Sequence, residues 1–187
     1  PLRQANKTTW FAPYKLQEPG DHIFYVSPAL YWEPGEQKMI QHHTKVIVDG
    51  FGGGEGWDKL VGLPVEIDPL SRPYGLWTHN IFRGRVLKAG KPVPFAIVEV
   101  EYRNDRNEVH VPFAAYSTQV IKADGQGVFS YSLPRAGWWG FAALTTSADK
   151  ALNPRGELTD VEEAGVIWIF ARDMVLKKHT TLKKDGD

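Results

Sequence analysis

The stretch Ile81-Phe-Arg-Gly-Arg-Val-Leu87, Lys88-Ala-Gly-Lys-Pro-Val-Pro94, Phe95-Ala-Ile-Val-Glu-Val-Glu-Tyr102 decides the fold. It continues, after a polar interval, through Thr118-Gln-Val-Ile-Lys122, Ala123-Asp-Gly-Gln-Gly127, Val128-Phe-Ser-Tyr-Ser-Leu133 and Trp138-Trp-Gly-Phe-Ala-Ala-Leu144. Runs of β-branched and aromatic residues alternate with Gly and Pro turns about every 8–12 residues, the rhythm of a β-sandwich. Val98, Val100 and Tyr102 alternate with Glu99 and Glu101, so one face of that strand reads as core and the other as wetted.

Working outward, the chain before this stretch also reads as β. Asp21, Ile23 and Tyr25 fall on one face of a strand, and His22, Phe24 and Val26 on the other. Met39 to Asp49 is a further strand, with Thr44, Val46 and Val48 opposite His43, Lys45 and Ile47. Trp10 to Leu16 and Leu63 to Leu70 read as shorter strands, and residues 28–38 and 146–160 as loops. After it, Val166 to Ala171 is a buried last strand. Helices of ten residues or so are not expected; the best helical candidate is the short run Leu158 to Ala164. The expectation is an all-β protein: an antiparallel, Ig-like or prealbumin-like sandwich over residues 71–176, a partial β-region over 1–70 and a mobile charged tail over 177–187.

Bulk properties narrow the function. Apolar residues make up 42% of 187, with seven Trp, seven Tyr and nine Phe, enough to fill the space between two sheets. Lys and Arg total 22 and Asp and Glu total 22, so no basic footprint for nucleic acid or anionic lipid is visible. The absence of cysteine removes thiol nucleophiles, disulfides and thiolate metal sites. No run of about 18 apolar residues spans a membrane. Pro1 is not a translation start, so the chain reads as a processed or trimmed piece.

Candidate chemistry is sparse. The glycine loop Gly50-Phe-Gly-Gly-Gly-Glu-Gly56 follows a strand, but no Gly-Lys-Ser/Thr and no G-x-G-x-x-G register fits it, and no helix opens behind it. It reads as a connection. Imidazole suits nickel, cobalt and zinc, which singles out His22, His42 and His43 as candidate metal ligands. His42 and His43 are neighbours in a strand and point to opposite faces, so one of them needs His22 or a carboxylate to complete a site. The alternative is one histidine packed inside and one solvated. Glu99 and Glu101, roughly 7 Å apart on a strand face, match an inverting-glycosidase pair in spacing. A solvated face with cross-strand partners Arg83 or Arg85 explains them as well. No Gly-x-Ser-x-Gly is present. Of Trp138 and Trp139, one is expected in the core and the other at its edge, where it could stack a ligand.

Gly90-Lys-Pro-Val-Pro-Phe-Ala, Lys122-Ala-Asp-Gly-Gln-Gly-Val-Phe and Pro134-Arg-Ala-Gly-Trp-Trp-Gly-Phe resemble the turns of transthyretin-like and collagen-adhesin-B-like sandwiches. Thr44-Lys-Val-Ile-Val-Asp-Gly-Phe-Gly, Gly56-Trp-Asp and Gly62-Leu-Pro-Val-Glu-Ile-Asp-Pro-Leu-Ser-Arg-Pro-Tyr-Gly-Leu-Trp resemble something narrower. With the sandwich segments, over roughly residues 10–172, the chain is similar to the periplasmic component of bacterial nickel/cobalt ABC-type uptake systems, also described as a nickel-uptake substrate-specific region. The resemblance implies periplasmic location after removal of a signal peptide, an all-β fold, a nickel or cobalt ion as cargo and a membrane transport complex as partner. It supplies no ligand set for these positions. Members of that family begin with a His-containing strand that precedes the part seen here. The function expected is a non-catalytic accessory of nickel or cobalt uptake; the alternative is a metal-free envelope module for carbohydrate or protein interaction.

Overall fold

A computed structural model describes residues 2–4 and 7–175, with side chains described from Trp10 onward. In chain order the elements are β1 (Leu2–Gln4), β2 (Lys7–Thr9), β3 (Gly20–Val26), β4 (Tyr31–Glu33), β5 (Lys38–Gly50), β6 (Val65–Pro69) and β7 (Leu76–Trp77). There follow β8 (Ile81–Lys88), β9 (Lys91–Pro92), β10 (Ile97–Tyr102), the one-turn helix α1 (Ala114–Ser117), β11 (Thr118–Lys122), β12 (Val128–Ser132), β13 (Gly137–Leu152) and β14 (Leu158–Arg172). β1 and β2 pair only with each other.

The other strands form two layers. The larger sheet runs β11-β10-β13-β14-β5-β3, with β4 beside β5 and β7 beside β14. The smaller runs β12-β8-β6, with β9 beside β8. This is the expected all-β sandwich, with one correction. The small sheet is wholly antiparallel, but the large one is mixed, because β14 lies parallel to both β5 and β7. That parallel pairing also carries the large sheet across the boundary drawn at residue 70: β3 and β5 from one side of it continue the layer made by β10, β13 and β14 from the other.

The core lies where the two layers face. Phe82 and Val86 of β8, Phe129 of β12 and Ile67 of β6 meet Val98 and Val100 of β10, Phe141 of β13 and Ile167 and Ile169 of β14, all buried. The Phe141 ring sits 4.8 Å from Phe82 and 5.7 Å from Phe129, a close aromatic cluster that stabilises beyond its buried area. Gly165 lets the layers approach. A Cβ there would fall 2.7 Å from the Val65 carbonyl oxygen, so only hydrogen fits between β14 and β6.

Several local expectations change. Residues 10–16 run without strand structure, and Tyr31–Glu33 form β4 inside the expected loop. The expected loop at 146–160 is the outer part of a long hairpin: β13 and β14 stay paired from Gly137–Ala171 out to Leu152–Leu158, with an irregularity between Thr146 and Lys150. The helical candidate Leu158 to Ala164 is therefore strand. Its Glu and Ala content favours helix, but pairing on both edges overrides local preference. Residues 177–187 lie outside the described residues. Among the described residues no helix is long and apolar enough to cross a membrane.

Candidate functional site

β5 turns its polar face inward. His43, Lys45 and Ile47 point between the layers and are buried, while Thr44, Val46 and Val48 point away from the small sheet. A buried lysine is costly unless paired. Lys45 meets Glu66 of β6: its ammonium donates to Glu66 Oε1 at 2.6 Å, and both side chains are within 3% of complete burial. The same carboxylate accepts the backbone N–H of Val61 (2.9 Å), Gly62 (2.9 Å) and Leu63 (3.2 Å). Burial pushes the Glu66 carboxyl up, but Lys45 and the backbone donors of Val61 and Gly62 outweigh it and hold it below the usual range. Glu66 thus ties the loop before β6 to the middle of β5.

The three histidines do not converge. His22 is the register partner of Val48, five residues beyond His43, which places it about 17 Å along the strand. It sits on the outward face, where its Nε2 lies 3.1 Å from the Glu18 carbonyl oxygen. His42 also faces outward, half-buried, with Nε2 3.1 Å from Glu162 Oε1. Burial raises the Glu162 carboxyl, and Lys38 at 3.0 Å together with His42 brings it below its ordinary value. His43 is sealed inside at 2% exposure. Its Nδ1 shares a 2.9 Å hydrogen bond with the Ser27 hydroxyl, and its Nε2, buried without a hydrogen-bond partner, faces Glu163 Oε1 at 3.7 Å. Among the described residues no three His, Asp or Glu side chains are gathered for a metal. Lys88, 3.4 Å from Glu163, adds a positive charge beside that carboxylate. The Ser27, His43 and Glu163 row has the order of a nucleophile, a base and an acid. Yet Pro28, next after the serine, has no N–H to offer an oxyanion.

Glu99 and Glu101 face outward on β10, and burial, then Glu101 and Glu162, raise the Glu99 carboxyl. The expected partners Arg83 and Arg85 belong to the other layer. Arg85 pairs there with Asp68 at 3.4 Å, and Glu101 instead accepts from Thr118. The tryptophans divide as expected: Trp139 is buried at 4%, and Trp138 stands on the outer face with its ring 5.1 Å from Phe170.

The outward face of the large sheet carries the most distinctive surface. Register lines up Gly140, Trp168, Val46 and Phe24 across β13, β14, β5 and β3. Gly140 leaves room for the Trp168 indole to lie flat across β13; a Cβ there would sit 3.0 Å from the ring. Phe24, Val46 and Trp168, with Val26 and Trp138, line a groove of about 610 Å³, and Arg103, Thr44 and Tyr25 are polar residues at its border. Irregular residues 10–16 pass along its edge. Ala12 reaches the lining, Tyr14 packs edge-on against Phe24 at 5.2 Å, and Trp10 and Phe11 remain 81% and 70% exposed.

The family profile described as "Domain of unknown function (DUF4198)" matches residues 1–147. The chain belongs to the DUF4198 family. No curated protein and no solved structure matches it. For this DUF4198 protein the histidines were legible as metal-ligand types, and the groove was not. Its signal was present in the alternation of Phe24 with Val26 and of Thr44, Val46 and Val48. Apolar alternation does not say which face meets the second sheet, and the presence of Lys45 on the inward face hid the answer.

Proposed function

We propose that this protein is a periplasmic, non-catalytic accessory that holds a protein partner in the outer groove of its large sheet. The carrying observation is the row Trp168, Val46 and Phe24 with Trp138: a contiguous apolar surface on a face that, among the described residues, no second layer covers. Surfaces of this kind mark interaction sites, and aromatic anchors dominate such contacts. The lining favours protein side chains over carbohydrate, since it is mainly apolar: besides Tyr25 and the backbone of Lys45, Thr44 and Arg103 are its polar members, and Arg103 is already engaged by Asp105 at 2.7 Å. The resemblance to nickel/cobalt uptake systems supplies the candidate partner, a component of the membrane transport complex. Co-expression with those components tests this. Wild-type protein should co-purify with them and Val46→Glu should not, while its melting temperature changes little because Val46 lies outside the core. Equal recovery of both would refute the reading.

A second reading has the chain itself carry nickel or cobalt. The pair His42–Glu162, at 3.1 Å and open to solvent on one side, favours it. Calorimetric titration of NiCl2 and CoCl2 into the mature protein should then give heat that His42→Ala removes; silence at millimolar metal would end that reading.

A further inference from the structure

Residues 10–18 lead into β3 without strand structure, and the two halves of this strap are held differently. The half next to β3 is anchored. The Glu18 carbonyl oxygen lies 3.1 Å from His22 Nε2, and the Tyr14 ring packs against Phe24 at 5.2 Å and beside His22 at 6.0 Å. The other half is loose. Among the described residues no backbone hydrogen bond holds positions 10–13, and β1 and β2, which precede them, pair only with each other. No sheet bond therefore opposes a movement of Trp10. The local sequence keeps the strap extended: Pro13 fixes its own φ, and the residue before a proline is driven to extended backbone, here Ala12. Side chains of an extended segment alternate, so Trp10, Ala12 and Tyr14 share one side and Phe11 takes the other. Two of those three already meet the sheet, Ala12 in the groove lining and Tyr14 on Phe24. Trp10 is the third, and it stands 81% exposed.

The groove is within its reach. Trp10 is two residues from Ala12, about 7 Å of extended chain, and Val26 in the same lining is 61% exposed. The groove volume of about 610 Å³ falls in the range of roughly 300–1,000 Å³ that encloses small-molecule ligands, ample for an indole. We propose that Trp10 seats in the outer groove, so that residues 10–16 are a strap that occupies the groove until a partner displaces it. Seating takes two apolar surfaces out of water together, the indole and the groove floor. It orders only a short segment that Tyr14 already pins, and closing so short a loop carries little entropy cost. A partner then binds in proportion to the fraction of molecules whose strap is open. The displacement rests on the reading of the groove as a partner site; the seating does not.

Fluorine NMR of the full chain carrying fluorotryptophan is the test, with a soluble gadolinium chelate to mark solvent access. The Trp10 resonance is the one that disappears in Trp10→Phe. In otherwise unaltered protein it should broaden several-fold less than that of Trp77, which is 42% exposed. Val26→Glu, which puts a charge into the groove at a position outside the core, should bring Trp10 level with Trp77. A Trp10 resonance that broadens as much as Trp77 without that substitution overturns the proposal. So does protection that fades on dilution, which places the indole in the groove of a second copy. For the displacement, Trp10→Ala should recover several-fold more of the co-expressed transport components than wild type does; measurable but equal or lower recovery overturns the gating. Recovery from neither protein, with Trp10 protected, removes the partner reading and the gating with it, and leaves the seated strap standing.

Discussion

Lys45 and Glu66 set the terms at the residue scale. A lysine in the middle of a strand reads as a solvated position, yet Lys45 lies on the face of β5 that is buried. Its partner sits 21 residues away on a strand of the other layer, a separation that no local pattern reports. Breaking such a pair leaves one charge buried and unmatched, which costs about 3–5 kcal/mol. Lys45→Met should therefore destabilise by about 3 kcal/mol or more in urea unfolding. Glu66→Gln should cost less than Glu66→Ala, because its amide oxygen can still accept from Gly62 or Leu63. The pH dependence follows from the same contacts. The folded Glu66 carboxyl is held below its ordinary value of about 4.3, so the folded state binds fewer protons than the unfolded one. The stability this provides is complete above that ordinary value and is lost as pH falls through the lower folded one. Glu162 acts in the same direction and Glu99, raised, in the opposite one. Melting temperature should drop between about pH 5 and pH 3, and the acid limb should be flatter in Glu66→Gln; an unchanged slope would remove Glu66 from the account.

The organising element is β14. It pairs antiparallel with β13 along most of its length and parallel with β5 and β7, and at Gly165 its backbone comes close to that of Val65 and Glu66 in β6. Gly165→Ala should force β6 away or bend β14, an overpacking cost of about 1–3 kcal/mol. Since β6 carries Glu66, the same substitution should weaken the Lys45 pair, and combining it with Lys45→Met should cost less than the sum of the two. Additive losses in a double-mutant cycle would separate the two features. The elements around the core were legible from sequence, because Val98, Val100 and Phe129 alternate with exposed or half-buried neighbours. The hairpin beyond Thr146 was not: both its faces are largely wet, so no period of two appears there. Nor was the parallel pairing of β5 with β14. The segments are more than 100 residues apart, and strand period is the same for parallel and antiparallel neighbours.

For the whole molecule, the two sides of the large sheet divide the work. The inward side packs on β12, β8 and β6 and fixes the fold. The outward side carries the groove and the two outward histidines, His22 and His42. That division explains why the sandwich was legible in the sequence and the groove was not: Thr44, Val46 and Val48 look like core, and their alternation does not say which face of the strand meets the second layer. Trp168→Ala should then cost less stability than Phe141→Ala, whose ring is fully buried and for which about 3–5 kcal/mol is expected. It should weaken partner recovery more. The most direct test of the outer face as the working surface is photo-crosslinking in the cell envelope. A benzophenone side chain is placed at Val46 in the groove or at Val120, which is 59% exposed on the far edge strand β11. The account predicts a discrete adduct with a transport component from position 46 and none from position 120. No adduct from position 46, or the same adducts from both positions, would contradict it.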